Sequence, residues 1–444
     1  MNIVLLSGGS GKRLWPLSND VRSKQFIKIF KTKDSVAGDS ESYESMVQRV
    51  YRQIKAIDRD ATVTVATSKS QVSAIHNQVG MEIGISVEPC RRDTFPAIAL
   101  AAAYLHDVQG ISEDEAVVVC PVDPYVNADY FQAIRDLWEL AQQGTANLVL
   151  MGIDPTYPSE KYGYIIPADK EKVSKVLEFK EKPNEEKAAE YIKQGGLWNG
   201  GVFAYKLSYV LNRAHELIDF ADYEDLFQKY DTLSKISFDY AVVEHESDIA
   251  VMRFNGQWKD IGTWNTLTEA MEDECIGRAV LGEACENVHV VNELNIPVLA
   301  MGLKDTVIAV SPDGILVSSE DKADRIKPYV DQMNQQIMFA EKSWGSYQVI
   351  DVESDSMTIK VTLNPGHGMN YHSHEHRDEV WTVVAGSGRT IVDGMEQPVK
   401  PGDVVTMAAG VKHTVFAGEN GLQLIEVQLG TDISVTDKIK YELV

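Results

Sequence analysis

The stretch Leu5–Gln25, LLSGGSGKRLWPLSNDVRSKQ, predicts both a fold and a kind of binding site. The apolar run 3–6 indicates a buried parallel strand, which ends at a glycine-rich turn. Because glycine has no Cβ, backbone N–H groups in such a turn can approach a ligand closely and form a concave anion site. Lys12, Arg13 and Lys24 follow the turn. This group of cations indicates a multiply charged anion such as a triphosphate.

The spacing of the glycines excludes two other phosphate-binding turns. A P-loop requires a lysine followed by serine or threonine, whereas Lys12 is followed by Arg13. A dinucleotide-binding turn requires G-x-G-x-x-G, and Leu14 occupies the position of the third glycine. The residues alone therefore leave two interpretations, a nucleotide loop of another kind or a plain strand-to-helix connection.

Length and charge restrict the classes of protein to consider. A chain of 444 residues suggests two or three domains. The net charge of −24 repels nucleic acid and anionic lipid, so we expect neither nucleic acid nor a membrane as a partner. The four cysteines form no C-x-x-C pair, and no signal peptide is recognisable. We therefore predict a cytoplasmic protein.

Residues 1–270 alternate short β-branched runs with longer helical patterns. This alternation predicts an α/β fold with a mostly parallel, Rossmann-like sheet covered by helices on both faces. Ligands of such sheets bind at the carboxyl ends of the strands. The predicted strands include 63–67, 116–120 and 147–151, and the predicted helices include 96–105 and 130–142.

Two aspartates are candidates for binding Mg²⁺. Asp123 follows the strand 116–120 between two prolines, and Asp260 lies in WKDIGTW, 258–264. Taken singly, each is either a turn residue or a metal ligand. Mg²⁺ is commonly held by one or two carboxylates together with substrate phosphates. Two such aspartates and a basic glycine loop therefore predict a nucleotide–Mg²⁺ site.

Eight motifs follow one another across the first 270 residues. They are LSGGSGKRLWPLS…KQF (6–26), EPCRRDTFPAIALAAAY (88–104), PVD (121–123), GIDPTYPSEKYGYI (152–165), FKEKP (179–183), NGGVF (199–203), FDYAVVE (238–244) and WKDIGTW (258–264). In this order they resemble the sugar-1-phosphate nucleotidyltransferases, and most closely the mannose-1-phosphate guanylyltransferases. The first motif is specific to the mannose-type branch.

The resemblance implies a reaction and its participants. The phosphate oxygen of a sugar 1-phosphate, mannose 1-phosphate in this family, attacks the α-phosphorus of a nucleoside triphosphate, GTP in this family, and pyrophosphate leaves. No protein nucleophile is needed, because catalysis consists of positioning and charge neutralisation. Mg²⁺ is the implied cofactor, and GDP-mannose is the implied product.

The resemblance also assigns roles to residues by their place in the motifs. The catalytic residues are Arg13, Lys24, Asp123 and Asp260, and the two aspartates are the Mg²⁺ ligands. The nucleotide-binding residues are Leu6, Gly8, Gly9, Gly11, Lys12, Arg13, Lys24, Glu88, Arg91 and Asp123. The residues that bind the sugar and its phosphate are Gly163, Glu181, Lys182 and Asn199.

Two further parts follow the nucleotidyltransferase domain, to which we assign residues 1–275. Residues 280–335 contain short strands separated by turn signals and predict a small β unit, β-helix-like or a meander. Residues 340–444 are all-β by pattern.

The last part carries a metal-binding pattern. Gly366, His372, His374, Glu379 and Gly386 fit G-x5-H-x-H-x4-E-x6-G, and Gly402, Gly410 and His413 fit most of G-x5-P-x-G-x2-H. The pattern resembles the cupin signature and implies a barrel. His372, His374, Glu379 and His413 form a ligand set that suits Zn²⁺ or another transition metal rather than Mg²⁺. A cupin that has kept its histidines without metal is the alternative.

The role of the cupin is left open by the sequence. In long mannose-type enzymes such a cupin carries phosphomannose isomerase activity, but Thr414 stands where that family has an arginine. The cupin is therefore an isomerase, or a dimerisation or sensing module, and we expect a homodimer. Two alternatives concern the whole chain. One is a regulator that binds nucleotide sugar without catalysis, and the other is a nucleotidyltransferase for another base or sugar with a structural cupin.

Overall fold

The computed structural model describes residues 1–9, 12–32, 43–333, 336–431, 433–434 and 437–443. The chain divides into two compact units. The first unit comprises 1–10, 25–72 and 79–272, and the second comprises 11–24, 73–78 and 273–444. Two short N-terminal segments thus belong to the same unit as the C-terminal part of the chain.

The first unit alternates strands and helices. Its strands are β1 (Asn2–Ser7), β2 (Lys28–Lys31), β3 (Tyr43–Ser45), β4 (Thr62–Ser68), β5 (Gly84–Glu88), β6 (Ala116–Pro121), β7 (Pro124–Val126), β8 (Leu148–Ile153), β9 (Tyr164–Pro167), β10 (Val173–Lys180), β11 (Leu197–Lys206), β12 (Ile249–Phe254) and β13 (Trp258–Asp260). Its helices are α1 (Met46–Ile57), α2 (Val72–Val79, most of which is assigned to the second unit), α3 (Thr94–Ala103), α4 (Ala128–Gln142), α5 (Glu185–Lys193), α6 (Leu207–Leu217), α7 (Tyr223–Lys229), α8 (Phe238–Ala241) and α9 (Trp264–Thr268).

Within the described residues, nine strands form one sheet in the order β5-β4-β1-β6-β11-β8-β12-β10-β9. All of them run in one direction except β10 and β11, so the predicted α/β fold with a mostly parallel sheet is confirmed. The strands expected at 63–67, 116–120 and 147–151 are β4, β6 and β8.

The strand β1 lies inside this sheet, parallel to β4 on one side and to β6 on the other. Both faces of a parallel sheet are covered, so its strands are apolar throughout, as Ile3, Val4 and Leu5 are here. The helix α3 is apolar all round, and every residue from Phe95 to Ala103 is buried. The carboxyl end of β1 is therefore held in a fixed place by a covered core.

The second unit is all-β apart from short helical segments. Its strands are β14 (Cys275–Ile276), β15 (Ala279–Leu281), β16 (Glu286–Asn292), β17 (Val298–Ala300), β18 (Lys304–Ser311), β19 (Gly314–Ser319), β20 (Phe339–Lys342), β21 (Gly345–Val352), β22 (Ser356–Leu363), β23 (His372–Ser373), β24 (Arg377–Val392), β25 (Met395–Val399), β26 (Val404–Met407), β27 (His413–Gly430) and β28 (Ile439–Lys440). The helix α10 (Lys327–Val330) lies between β19 and β20.

The strands from β14 to β19 form what we call the β-coil, residues 275–319. The strands β14, β16 and β18 pair in parallel, and β15 pairs in parallel with β17, so successive turns of the chain stack on one another. A meander would pair consecutive strands antiparallel, which happens here between β18 and β19. This small β unit is therefore β-helix-like and not a meander.

The cupin part, β20 to β28, is a curled antiparallel sheet built on the long strands β24 and β27. Alternate residues of β22 are buried, because successive side chains of a strand face opposite sides. The buried set includes Val361, Trp381 and Leu424, which form part of one hydrophobic core. The predicted all-β C-terminal part with cupin character is confirmed by this curled sheet.

None of the helices in the described ranges has the length and hydropathy that crossing a bilayer requires.

Candidate active site and metal cluster

The glycine turn after β1 rests on a network of buried amide and hydroxyl groups. Gln25 Nε2 donates to Ser7 Oγ at 2.9 Å, and Gln71 Nε2 donates to the carbonyl oxygen of Gly9 at 3.4 Å. Thr67 Oγ1 lies 2.8 Å from Gln71 Oε1 and 3.1 Å from the carbonyl oxygen of Ser7. Since Gln25 and Gln71 are only 1% exposed, these bonds are made away from water and fix the backbone of the turn.

The turn itself has the features that an anion site needs. Gly9 has φ +119°, a conformation that L side chains rarely adopt. A Cβ added at Gly8 would meet no atom of the described residues within 4 Å. Leu6, Gly8 and Gly9 thus lie at the carboxyl end of β1, while the predicted Gly11 falls outside the described residues.

The three predicted cations belong to the second unit, although they follow the turn directly in sequence. Lys12 Nζ donates to Asp331 at 3.2 Å and lies 3.7 Å from Asp20, and the bond to Asp331 raises the pKa of Lys12. Arg13 is exposed and Lys24 is half-buried. Of the predicted phosphate cations, Lys12 is therefore already engaged by carboxylates.

Glu88 and Arg91 flank the chain between β5 and α3. Glu88 ends β5 and accepts a 2.8 Å hydrogen bond from Tyr230 Oη, and burial raises the pKa of its carboxyl group. Arg91 is exposed in the turn before α3. The partner of Glu88, Tyr230, comes from a part of the chain that the sequence did not connect with it.

The pairing of β7 with β13 brings the two predicted Mg²⁺ aspartates to one place. In this antiparallel pair Asp260 lies opposite Pro124, the residue after Asp123. The two residues are 137 positions apart in the chain. The pairing therefore brings the backbone of Asp260 close to that of Asp123, just after the carboxyl end of β6, which lies next to β1 in the sheet.

The predicted sugar-binding residues also converge. The backbone N–H of Asn199 donates to the carbonyl oxygen of Gly163 at 2.8 Å. A Cβ added at Gly163 would lie 2.5 Å from Glu181 Oε2 and 3.4 Å from the Cβ of Asn199. Lys182 Nζ lies 2.7 Å from Glu181 Oε1. One amide, one carboxylate and one ammonium group thus meet over a glycine that leaves no room for a side chain.

One member of this cluster was not assigned a role from the sequence. Asn199 Nδ2 donates to Asp239 Oδ1 at 2.7 Å, and the charge of Glu181 is close enough to affect Asp239. Burial, followed by the charge of Glu181, raises the pKa of Asp239 to about 7 against the hydrogen bond from Asn199. Asp239 belongs to the FDYAVVE motif, so the motif was recognised but its carboxylate was not.

Aromatic rings connect the sugar cluster with the aspartate pair. The ring of Tyr162, next to Gly163, lies 4.9 Å from that of Trp198 and 5.6 Å from that of Trp258, two residues before Asp260. Burial and the charge of Asp260 raise the pKa of Tyr162. Packed aromatic rings therefore connect the two groups of predicted residues in the first unit.

In the cupin the four predicted ligands form a cluster. One donor atom from each of His372, His374, Glu379 and His413 can be chosen so that all lie within 4.8 Å of one another. Glu379 Oε1 lies 3.0 Å from His374 Nε2, and Glu379 Oε2 lies 3.3 Å from His413 Nε2. All four residues are at most 2% exposed.

The orientation of the imidazoles suits a metal. Nδ1 of His372 faces the carbonyl oxygen of Asn370 at 2.7 Å, Nδ1 of His413 faces that of Val411 at 2.9 Å, and Nδ1 of His374 faces that of Asp437. A carbonyl oxygen holds the proton on Nδ1, which leaves Nε2 as the lone-pair donor for a metal. His413 Nε2 is buried without a hydrogen bond in the described residues. The residues present therefore fit a transition metal.

Two cations border this cluster. Arg377 Nε donates to Glu379 Oε1 at 3.1 Å, and Arg377 Nη2 lies 3.1 Å from His374 Nε2. Lys438 is exposed, its charge acts on His372, and partial desolvation of its ammonium group lowers its pKa to about 8. Thr414 turns away and donates to the carbonyl oxygen of Met369. The cationic groups at this site thus come from positions other than 414, which the sequence did not indicate.

Comparisons with known proteins agree with both parts of the chain. The family described as Nucleotidyl transferase matches residues 2–275, and the family described as Mannose-6-phosphate isomerase C-terminal matches residues 331–442. The chain belongs to the nucleotidyl transferase family, so the predicted resemblance is confirmed.

Relatives with both parts cover the whole chain. The Escherichia coli mannose-1-phosphate guanylyltransferase is 27% identical over 99% of this chain and 97% of its own length. The xanthan biosynthesis protein XanB of Xanthomonas campestris is 30% identical over the same shares. A Thermus thermophilus crystal structure titled mannose-1-phosphate geranyltransferase is 27% identical with a TM-score of 0.59 and covers 74% of this chain and 98% of its own.

Replacing Gly163 by alanine tests the sugar cluster. The new methyl group would meet Glu181 and Phe179, at 2.5 and 3.1 Å before any adjustment, so Glu181 must move. We expect the KM for the sugar 1-phosphate to rise by about tenfold or more, because small displacements of positioned groups are costly. Steady-state kinetics with both substrates would show this, and an unchanged KM for the nucleoside triphosphate is the internal control. Equal KM values for the sugar in both proteins would contradict the assignment.

Replacing Asp239 by asparagine tests its raised pKa. Between the ordinary value of 3.8 and about 7, the folded protein keeps a proton that the unfolded chain releases, so stability falls as pH rises through this window. Asp239→Asn removes that loss and keeps an acceptor for Asn199. We expect the variant to gain free energy of unfolding over the wild type at about pH 8, and the gain to shrink towards about pH 5. Urea titrations measure it, with exposed Asp219→Asn as control; a gain independent of pH would contradict the assignment.

Proposed function

We propose that this chain transfers the guanylyl group of GTP to mannose 1-phosphate, releasing pyrophosphate and forming GDP-mannose. The observation that supports the proposal is the pairing of β7 with β13, which sets Asp260 opposite the residue after Asp123. The full-length relative named mannose-1-phosphate guanylyltransferase supports the choice of base and sugar.

The residues divide the work between the two substrates. The buried amide network keeps the N–H groups of the glycine turn in place for the triphosphate, and Arg13 and Lys24 are assigned to its negative charge. Lys182 binds the phosphate of the sugar. Because the transferred group gains no covalent bond to the protein, positioning and charge neutralisation account for catalysis.

The remaining groups orient the sugar and hold the metal. Asn199 and Glu181 offer a donor and an acceptor to the sugar hydroxyls, and Gly163 lets Glu181 approach the backbone closely. Asp123 and Asp260 would hold Mg²⁺, which when bound neutralises phosphate charge in the transition state. Their side chains fit this role because carboxylate oxygens are the ligands that Mg²⁺ prefers.

A matrix of nucleoside triphosphates and sugar 1-phosphates tests the proposal. Pyrophosphate release should be fastest with GTP and mannose 1-phosphate. Asp123→Asn and Asp260→Asn should each lower kcat by about 100-fold or more, because the charge that holds the metal is lost. Asp219→Asn, an exposed aspartate of the same unit, is the control. Binding of substrate without turnover would favour the regulatory alternative, and a faster pair would redirect the choice of base or sugar.

The cupin supports a second activity, the interconversion of mannose 6-phosphate and fructose 6-phosphate. The observation that favours it is the buried set of three imidazoles and a carboxylate, in which Nδ1 of each imidazole faces a backbone carbonyl oxygen. Arg377 and Lys438 supply positive charge for a phosphate at this site despite Thr414.

Replacing His374 by alanine tests the metal centre. The variant should lose about one equivalent of bound transition metal per chain, because one of four ligands is removed, and any isomerase activity should go with it. Elemental analysis after dialysis measures the metal, and exposed His367→Ala in the same cupin is the control. Equal metal content in the variant and the wild type would overturn the cluster as a metal site.

Three further predictions remain proposals. We divide the chain into domains at 1–275, 280–335 and 340–444, and the family matches that end at 275 and begin at 331 support this division. A cytoplasmic location is supported by four cysteines that form no disulfide in the described structure. A homodimer is the expected oligomeric state.

A further inference from the structure

The segment Lys12–Lys24, which carries two of the proposed phosphate cations, is anchored by the β-coil. Arg22 donates from Nη1 and Nη2 to the two carboxylate oxygens of Glu293, both at 2.8 Å. The guanidinium group is buried, with Arg22 7% exposed, and lies 5.1 Å from the centre of the Phe339 ring. A two-pronged arginine–carboxylate pair fixes direction as well as distance.

A second anchor lies three residues earlier in the same segment. Asn19 Oδ1 accepts hydrogen bonds from the backbone N–H groups of Val21 and Arg22, so the chain turns back on itself. Asn19 Nδ2 donates to Asp313 Oδ2 at 2.7 Å. The other oxygen, Asp313 Oδ1, accepts from the backbone N–H of Met338 at 2.7 Å. The segment is thus bonded to a carboxylate that also holds the chain entering the cupin.

A third anchor involves the backbone. Ser311 Oγ donates to the carbonyl oxygen of Pro16 at 2.7 Å, in a buried position. Gly314, at the start of β19, packs so closely on the ring of Trp15 that a Cβ there would lie 2.5 Å from it. The segment therefore contacts the β-coil at Gly314, Asp313 and Glu293. All of these contacts lie within the second unit.

We propose that Asn19 and Arg22, held by Asp313 and Glu293 of the β-coil, are positioning residues for nucleotidyl transfer. They fix the course of the segment that carries Arg13 and Lys24, the cations assigned to the triphosphate. This inference rests on the proposed function, because it takes the triphosphate as the ligand of these two cations. It gives the β-coil a role in the reaction.

Glu293→Gln tests the inference because it keeps the size of the side chain and removes the charge that holds Arg22. Asn19→Ala releases the second anchor without changing the β-coil and serves if Glu293→Gln folds poorly. The control is Glu286→Gln, which breaks the exposed pair of Glu286 with Lys304 on the same β-coil. Melting temperature and circular dichroism establish that each full-length variant is folded.

Two measurements give the result. In limited trypsin digestion followed by mass spectrometry, cleavage after Arg22 should be several times faster in Glu293→Gln than in the wild type or Glu286→Gln. In pyrophosphate release the KM for GTP should rise by about fivefold or more and kcat should fall, because the cations are no longer positioned. A smaller folded fraction would lower the apparent kcat and leave KM unchanged, so the rise in KM identifies positioning.

The outcomes are distinguishable from failure of the proposed function. Absence of turnover in the wild type with every substrate pair overturns the proposed function and this role with it. Turnover in the wild type with unchanged KM and kcat in both anchor variants overturns the positioning role alone. Unchanged cleavage after Arg22 shows that the anchors do not hold the segment, which also overturns it.

Discussion

The backbone pairing of β7 with β13 is the interaction on which the proposed reaction depends. It joins two short strands that lie far apart in the chain and sets Asp260 opposite the residue after Asp123. Neither strand belongs to the main sheet, so the position of both carboxylates depends on three register partners and on the packing around them. Trp258 and Tyr162 supply that packing and extend the same site to Gly163. The proposed two-substrate site thus draws on segments that share no contiguous sequence.

Local patterns were sufficient to predict the elements but not all of their chemistry. The apolar runs predicted β1, β4, β6 and β8, because strands covered on both faces need near-continuous apolar sequence. The motifs also located Asp123, Asp260, Gly163 and Asn199. The residues that support the glycine turn and Asn199 were not predicted. Gln71 lies far from the glycine turn in sequence, and nothing about the residue type of Asp239 distinguishes it from other aspartates. Such roles depend on which polar groups become neighbours where water is excluded. A single sequence does not give this information.

In the cupin, the sequence likewise predicted which residues are candidate ligands but not how their imidazole rings are oriented. The signature predicted His372 and His374 as members of one ligand set. Which nitrogen of each imidazole is left for a metal depends on backbone carbonyl groups at Asn370, Val411 and Asp437, and the last of these belongs to the C-terminal segment. The cations at 377 and 438 likewise come from positions that the signature does not specify. A comparison restricted to position 414 would therefore underestimate the positive charge of the site.

The assignment of 12–24 and 73–78 to the second unit has a physical explanation. Each segment comes directly after residues of the glycine turn or its support. The first follows the turn itself, and the second follows Gln71, which bonds to Gly9. Gln78 and Asn77 at the end of α2 bind the side chain of Glu341 and the carbonyl oxygens of Lys342 and Gly345 in the first hairpin of the cupin part. The anchors of Arg22 and Asn19 act in the same way on the other segment. Long-range polar bonds therefore hold both segments to the C-terminal part of the chain, within the second unit.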